Sequence, residues 1–398
     1  MKQEVLFLAH RIPYPPDKGD KIRSWRMLKY LASRYRVHLA CFADDPRDLA
    51  HRAFLESLCE SVTIIPLAPV TARIRSLKGF LKHTPLSFEY FHDQKMREAV
   101  DAIRKKPLAA EIVFSSSMAP YVERPIDGRR RIVDFCDADA EKWRDYARDA
   151  RGLMAFIYSR EAKILARAES EIANWADASF AVTPSEAAIF NARADMKKYV
   201  GWFSNGVDTE YFDPSAAQSS APPVNDCVFV GAMDYRANVD GVLYFAKHVW
   251  PLVRQQHSQA RFAIVGANPA RAVKSLEGEN GVTVTGRVDD VRPWLAGAKT
   301  VIAPLRVARG VQNKVLEAMS MAKPVVASRE AMTGIEAPEE AAIAADRPDD
   351  MAAAISLLLK DGGRRRAMGA AARSYVLETH QWEQTLTRLD DALRALGV

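Results

Sequence analysis

The sequence predicts an α/β protein built from two doubly wound, Rossmann-like parallel sheets, and three observations carry that expectation. Short β-branched and apolar runs alternate with helical stretches along nearly the whole chain, the signature of βαβ units. The runs are continuous rather than strictly alternating, as strands covered by helices on both faces require. The pattern also breaks once, at the uncharged Pro-, Ser- and Ala-rich stretch PSAAQSSAPPVN at 214–225, and then restarts. With 398 residues, 48% of them hydrophobic, the chain can bury two cores. The domains are therefore expected over 1–213 and 226–380.

The expected strands of the first domain are VLFLA (5–9), VHLACF (37–42), VTIIPL (62–67), IVFSS (112–116), RIVDFC (131–136) and ASFAVT (178–183). Those of the second are CVFVG (227–231), RFAIVG (261–266), VTVTG (282–286), TVIAPL (300–305) and PVVAS (324–328), followed by a helical tail from Asp349. The opening apolar run is too short and wrongly flanked for a signal peptide or a membrane span. Cys41, Cys59, Cys136 and Cys227 lie far apart, which suggests neither a zinc site nor a disulfide framework and fits a reducing cytoplasm. The net charge of +6 is concentrated in residues 1–200, where 34 Lys and Arg face 27 Asp and Glu. That excess suits an anionic lipid or diphosphate-linked partner, or serves solubility alone; no nucleic-acid-binding motif accompanies it.

Doubly wound sheets bind ligands at the carboxyl ends of their strands, so two facing domains would set the chemistry on strand-to-helix loops around a cleft. The strongest local signal is RGVQNKVLE at 309–317, after the strand TVIAPL. Gly310 admits a ligand to the backbone, and a helix starting at Val311 would leave the N–H groups of Val311, Gln312 and Asn313 open to a diphosphate. Lys314 adds a full charge, and Glu317 on the same face could accept hydrogen bonds from ribose hydroxyls. Val311, Val315 and Met319 form the buried stripe. Upstream, VFVGAMDYRANVDG (228–241) offers Gly231, with Asn238 as a helix N-cap and Arg236 as either a phosphate partner or a solvated arginine. TGRVDDVRPWLAGA (285–298) repeats the layout, so Gly286, Arg287 and Val288 either border a nucleobase or form a plain connection.

In the first half, HRIPYPPDKGDKIRSWRMLKYL (10–31) carries a basic loop with Lys18 and Gly19, then Asp20 as N-cap. Ile22, Trp25, Leu28 and Leu31 should pack on the sheet, leaving Lys21 and Arg23 near the cleft edge for an acceptor. VDFCDADAEKW (133–143) places Asp134 and Asp137 at a strand end, where each either orients or deprotonates an acceptor hydroxyl or caps the next helix. ARIRSLKGFLKHTPLSFEYF (72–91) mixes Arg73, Arg75, Lys78 and Lys82 with Ile74, Leu77, Phe80 and Leu81, as an interfacial helix or a packed helix with a basic face would.

These residues together resemble glycosyltransferase family 4, a retaining family of GT-B fold, over nearly the whole chain. PPDKGDKIRS (15–24), VDFCDADAEKW, SNGVD (204–208), VFVGAMDYRANVDG and GVQNKVLEAM (310–319) are similar to the sugar transferases of exopolysaccharide and PEP-CTERM/exosortase gene clusters. The resemblance implies transfer from a nucleotide diphosphate sugar to a glycan or polyprenyl-linked acceptor, in the cytoplasm or at the inner face of the membrane. It implies retention without a covalent enzyme intermediate, no cofactor and no metal. Lys314 would bind the diphosphate, Glu317 the ribose and Gly19 the sugar phosphate region, and the final helix, about 381–398, would return to the first domain.

Two departures stand out. The first of the family's paired glutamates is replaced by Arg309, which can only donate hydrogen bonds. It either supplements Lys314 at the phosphates, selects an acidic sugar, or turns to solvent. The basic pair usual after the first donor-domain strand is also missing, with Ala232 after Gly231 and Asn238 where the lysine is expected. A nucleotide-sugar 2-epimerase and a non-catalytic nucleotide-sugar or glycan binder are the alternatives.

Overall fold

The computed structural model describes residues 2–215 and 224–398, and these divide into two units, Met1–Phe203 with Leu386–Val398, and Ser204–Thr385. In the first unit a seven-stranded, all-parallel sheet runs in the order β3-β2-β1-β4-β5-β6-β7. Its strands are β1 (Glu4–Ala9), β2 (Arg36–Ala43), β3 (Ser61–Pro66), β4 (Leu108–Phe114), β5 (Arg130–Cys136), β6 (Ala178–Ala181) and β7 (Gly201–Trp202). The second unit holds a six-stranded parallel sheet in the order β10-β9-β8-β11-β12-β13. Its strands are β8 (Asn225–Val230), β9 (Phe262–Val265), β10 (Val282–Gly286), β11 (Ala298–Ala303), β12 (Val325–Ala327) and β13 (Ala342–Ala344). Both units are Rossmann-like. The central strands are fully buried, as their continuous apolar runs require. Only β7 and β13 were not anticipated; at two and three residues they are too short to leave a pattern.

The division between units falls earlier than the linker expected at 214–225. Residues 204–213 belong to the second unit because side chains there hold them to it. Ser320 Oγ donates to Phe212 O at 2.8 Å, Arg373 pairs with Asp213, and Val207 bridges to Gln381. Residues 216–223 of the expected linker lie outside the described residues. At the other end the chain rejoins the first unit at Leu386 rather than 381. There Arg388 donates to Trp202 O and Leu389 and Leu393 are buried.

The helix Gly19–Arg34 corrects three expectations. Asp20 is not its cap: Lys18 holds that position, and the Asp20 carboxylate instead meets His10 and Arg11 at 3.1 and 2.7 Å. Lys21 and Arg23 do not edge the site, being 1% and 0% exposed. Lys21 lies four and seven residues before Trp25 and Leu28, on the helix face turned to the core. Its ammonium is matched by Asp17 and Asp48, each at 3.0 Å. Arg23 forks onto Asp134 through Nε–Oδ2 at 2.7 Å and Nη2–Oδ1 at 3.1 Å, while Nη1 donates to Phe203 O at 3.0 Å. Its guanidinium also stacks 3.8 Å from the Phe203 ring centroid. Asp134 is therefore a buried structural anion and no candidate base. The segment 72–91 is likewise not one helix but three, Pro69–Ser76, Lys78–Lys82 and Leu86–Tyr90, the second closed by His83 at φ +53°.

Removing one partner of a buried ion pair strands the other charge, so Asp134→Ala should destabilise the protein by about 3–5 kcal/mol. Replacing both, as Arg23→Met with Asp134→Leu, should recover much of that loss in urea unfolding monitored by circular dichroism. Unchanged stability in Asp134→Ala would refute the structural role.

Candidate active site

In the second sheet the chain order reverses between β8 and β11, and the loops leaving these strands part to make room at their carboxyl ends. Lys314 and Asn238, singled out in the sequence on these two loops, meet there. Lys314 Nζ donates to Asn238 Oδ1, and the Asn238 amide donates in turn to Ala232 O at 2.9 Å. Asn238 is thus not an N-cap: its helix, Arg236–Tyr244, begins two residues earlier. Gly231 keeps the space that Asn238 fills, since a Cβ there would lie 2.7 Å from Asn238 Nδ2.

The helix after β11 runs Asn313–Ser320, two residues later than expected. Gly310 turns the chain at φ +63°, Val311 enters the core, and Gln312 takes the cap position. The open first-turn N–H groups are therefore those of Asn313 and Lys314, because Val315 already donates to Gln312 O at 2.9 Å. Gln312 Nε2 folds back to Arg309 O at 3.1 Å, and Asn313 Oδ1 accepts from Asn205 at 3.1 Å. Arg309 is half-buried, directly before the Gly310 turn.

Lys314 sits 4.9 Å from the Phe229 ring centroid and has a neutral amide as its hydrogen-bond partner. Burial pushes its pKa down to about 8 although Glu317 opposes the shift. Burial likewise raises Glu317 to about 7, against the pull of Lys314. A cation desolvated in this way, with no carboxylate in ion-pair contact among the described residues, gains from an arriving anion.

The edge continues through β9 and β10. Gly231 N–H donates to Val265 O at 3.0 Å and Gly266 N–H to Gly286 O at 3.2 Å, so three strand-end glycines adjoin. Gly266 escaped the sequence reading, although it ends its strand as Gly231 and Gly286 end theirs. Its φ is +156°, and a Cβ would fall 1.7 Å from Gly231 O. Gly286, at φ +67°, borders open space, with exposed Arg287 and half-buried Val288 following it. Arg236 is exposed at the first turn of its helix.

In the first unit the order reverses between β1 and β4. There Gly19 and Lys18 are exposed at the loop's end, and Lys18 approaches Asp44 at 4.0 Å. His10, at the end of β1, was missed by the sequence reading. Its Nε2 meets Asp20, its ring stacks on Phe114 with centroids 5.6 Å apart, and its Nδ1 is buried without a hydrogen-bond partner among the described residues. Burial opposes the Asp20 charge, but His10 and Arg11 outweigh it and hold that carboxyl far below its ordinary range.

At the end of β5, two strands from β1, Cys136 adopts φ +64° and turns the chain into Asp137. Asp137 Oδ1 is buried with no hydrogen-bond partner among the described residues. Burial raises the carboxyl to about 7, and Glu186 and Asp139 add to the shift. Neither Asp134 nor Asp137 caps the following helix, Asp139–Asp149, which has Ala138 at its cap position and no side-chain cap. Asp137 thus remains the candidate acid or base of this unit.

Residues 224–361, within the second unit, match the family described as Glycosyl transferases group 1. No curated protein matches the chain in sequence. Solved structures resemble it along its whole length. Sucrose-phosphate synthase from Thermosynechococcus elongatus aligns at 18% identity and TM-score 0.72, covering 99% of each chain. A glycosyltransferase from Rickettsia africae aligns at 12% identity and TM-score 0.65 over 99% of this chain and 98% of its own. HepE of Anabaena, solved with UDP-glucose, aligns at 16% identity and TM-score 0.66 over 99% and 100%. The second unit therefore carries a glycosyltransferase domain, and the two units share the GT-B fold of these structures.

Proposed function

We propose that the protein transfers a sugar from a nucleotide diphosphate sugar to a glycan or polyprenyl-linked acceptor, with retention of configuration, as a family 4 glycosyltransferase of exopolysaccharide biosynthesis in the cytoplasm. The observation that carries the donor half is Lys314, a desolvated ammonium on the first turn of the helix at the β8/β11 switch point. It meets the diphosphate together with the N–H groups of Asn313 and Lys314, so that the leaving group is stabilised without a metal. Glu317 accepts from the ribose, and the loop of Gly286, Arg287 and Val288 borders the base. HepE with its bound UDP-glucose supports this class of donor.

The acceptor falls to the first unit, with Lys18 and Gly19 on its loop and Asp137 as the group that orients or deprotonates the acceptor hydroxyl. In the transfer the acceptor oxygen bonds the anomeric carbon while the bond to the diphosphate breaks and its electron pair leaves with the phosphate. Incubation with labelled nucleotide sugars and membrane extract tests the whole reading. Label in lipid or glycan supports it; an isomerised free nucleotide sugar would identify a 2-epimerase, and binding without turnover a non-catalytic protein.

Because Asn238 holds Lys314, the ammonium can be exchanged between the two positions. Lys314→Asn should weaken nucleoside diphosphate binding by about ten- to a hundredfold, as loss of a charge-assisted contact implies. Lys314→Asn with Asn238→Lys should restore most of it in calorimetric titration. Equal binding by all three proteins would remove Lys314 from the site.

Asp137 acts as a base only when ionised, so turnover should rise with pH through about 7. Lys314 attracts phosphate only when protonated, so kcat/KM should fall again above about 8. Glu317 titrates near Asp137, which makes the variants decisive. Asp137→Asn should abolish most turnover while leaving donor affinity intact, and a full rate in that variant would exclude the assignment.

Arg309→Gln separates the readings of that position. Equal loss of affinity for neutral nucleotide sugar, uronic nucleotide sugar and bare diphosphate places Arg309 at the phosphates. A loss confined to the uronic sugar makes it a selector of acidic sugars, and no loss leaves it solvated.

A further inference from the structure

Two helices of the first unit turn their apolar sides outward. In Pro69–Ser76 and Lys78–Lys82, joined through Leu77 in helical conformation, the buried positions are the small Ala72 and Gly79. Val70, Ile74, Leu77 and Leu81 recur at spacings of four, three and four, one stripe of a helix, and are 69%, 65%, 56% and 86% exposed. Such a stripe ordinarily packs on a core. Here the opposite side is fastened inward, Arg75 donating to Glu89 O and Tyr90 O at 3.0 and 2.6 Å.

A second apolar group lies on a helix bonded to this segment. The helix Leu153–Trp175 begins with Leu153, Met154 and Phe156, all exposed. One turn beyond Phe156, Arg160 donates to Gly79 O and stacks on Phe80, while Glu161 accepts from the Leu86 N–H at 2.7 Å. These bonds tie the long helix to the segment at Gly79, Phe80 and Leu86.

The charge around the patch has one sign. From Ser61 to Phe88 there is no Asp or Glu, against Arg73, Arg75, Lys78 and Lys82. Lys82 is matched by Glu89 and Arg75 by carbonyls, leaving Arg73 and Lys78 exposed without an ion pair among the described residues, as is Arg151 before the second group. A second copy docked symmetrically on this patch would set these cations against their own counterparts. An anionic bilayer offers what both features want, hydrocarbon for the stripe and phosphate for the cations.

We propose that this surface, the outward stripe of Val70, Ile74, Leu77 and Leu81, docks the first unit onto an anionic membrane. It is carried by residues apart from those assigned to donor and acceptor, so it stands or falls independently of the proposed transfer.

Co-sedimentation of the full chain with phosphatidylglycerol and phosphatidylcholine vesicles tests it. Binding should appear with phosphatidylglycerol alone, and should weaken as salt rises from about 0.05 to about 0.5 M. The exposed triple variant Ile74→Ser, Leu77→Ser, Leu81→Ser should bind at least about tenfold more weakly while its nucleoside diphosphate affinity and melting temperature stay unchanged. Arg73→Gln with Lys78→Gln should weaken binding without removing it. Failure of the wild type to sediment with phosphatidylglycerol would overturn the proposal, as would equal binding by the triple variant. A dimer in solution that the triple variant dissolves would instead identify a second copy as the occupant.

Discussion

The first unit is organised around one buried ion pair. Arg23 and Asp134 are both withdrawn from water, a cost that only close, bidentate geometry and further hydrogen bonds can offset. Each remaining bond therefore has a structural consequence. Arg23 also takes the carbonyl of Phe203 and lies on its ring, which fastens the last residue before the chain enters the second unit. Asp134 Oδ1 also accepts the Cys136 N–H at 3.0 Å, across the point where the chain leaves β5 at positive φ. That turn sets the direction of Asp137. The pair thus fixes the turn from which the Asp137 carboxyl projects.

The same pair explains an error of reading. Most strands were legible because burial on both faces leaves an unbroken apolar run, and no other soluble element of that length needs one. Lys21 and Arg23 were read as an exposed basic edge because lysine and arginine are seldom buried unless paired. Asp17 is a local partner four residues before Lys21, but Asp48 and Asp134 come from a distant short helix and another strand, so no local pattern announces the burial of the two cations. Asp134 and Asp137 look alike in sequence for the same reason. What separates them is which one a distant arginine reaches.

Domain boundaries and helix starts failed differently. The composition break at 214–225 was real as a pattern, but the division between units depends on which side chains hold residues 204–213, and those of Ser320 and Arg373 lie far along the chain. The helix start at Asn313 rather than Val311 reflects a competition between Gly310, which turns the chain, and Val311, whose side chain is worth more in the core than in a first helical turn. The glycines at the ends of β8, β9 and β10 were two-thirds legible. Gly266 needed the observation that its neighbour's carbonyl occupies the place of a Cβ.

In the second unit Asn238 stands where the resemblance leads one to expect a lysine, and it faces Lys314 across the β8/β11 gap. A lysine at 238 would extend from the loop after β8 toward the switch point; in this chain that direction is taken by the shorter Asn238, and the ammonium arrives from 314 on the other side of the same gap. The ammonium at this gap therefore comes from the helix after β11 rather than from the loop after β8. Asn238 uses both ends of its amide there, the oxygen accepting from the Lys314 ammonium while the nitrogen donates to Ala232 O and closes that loop.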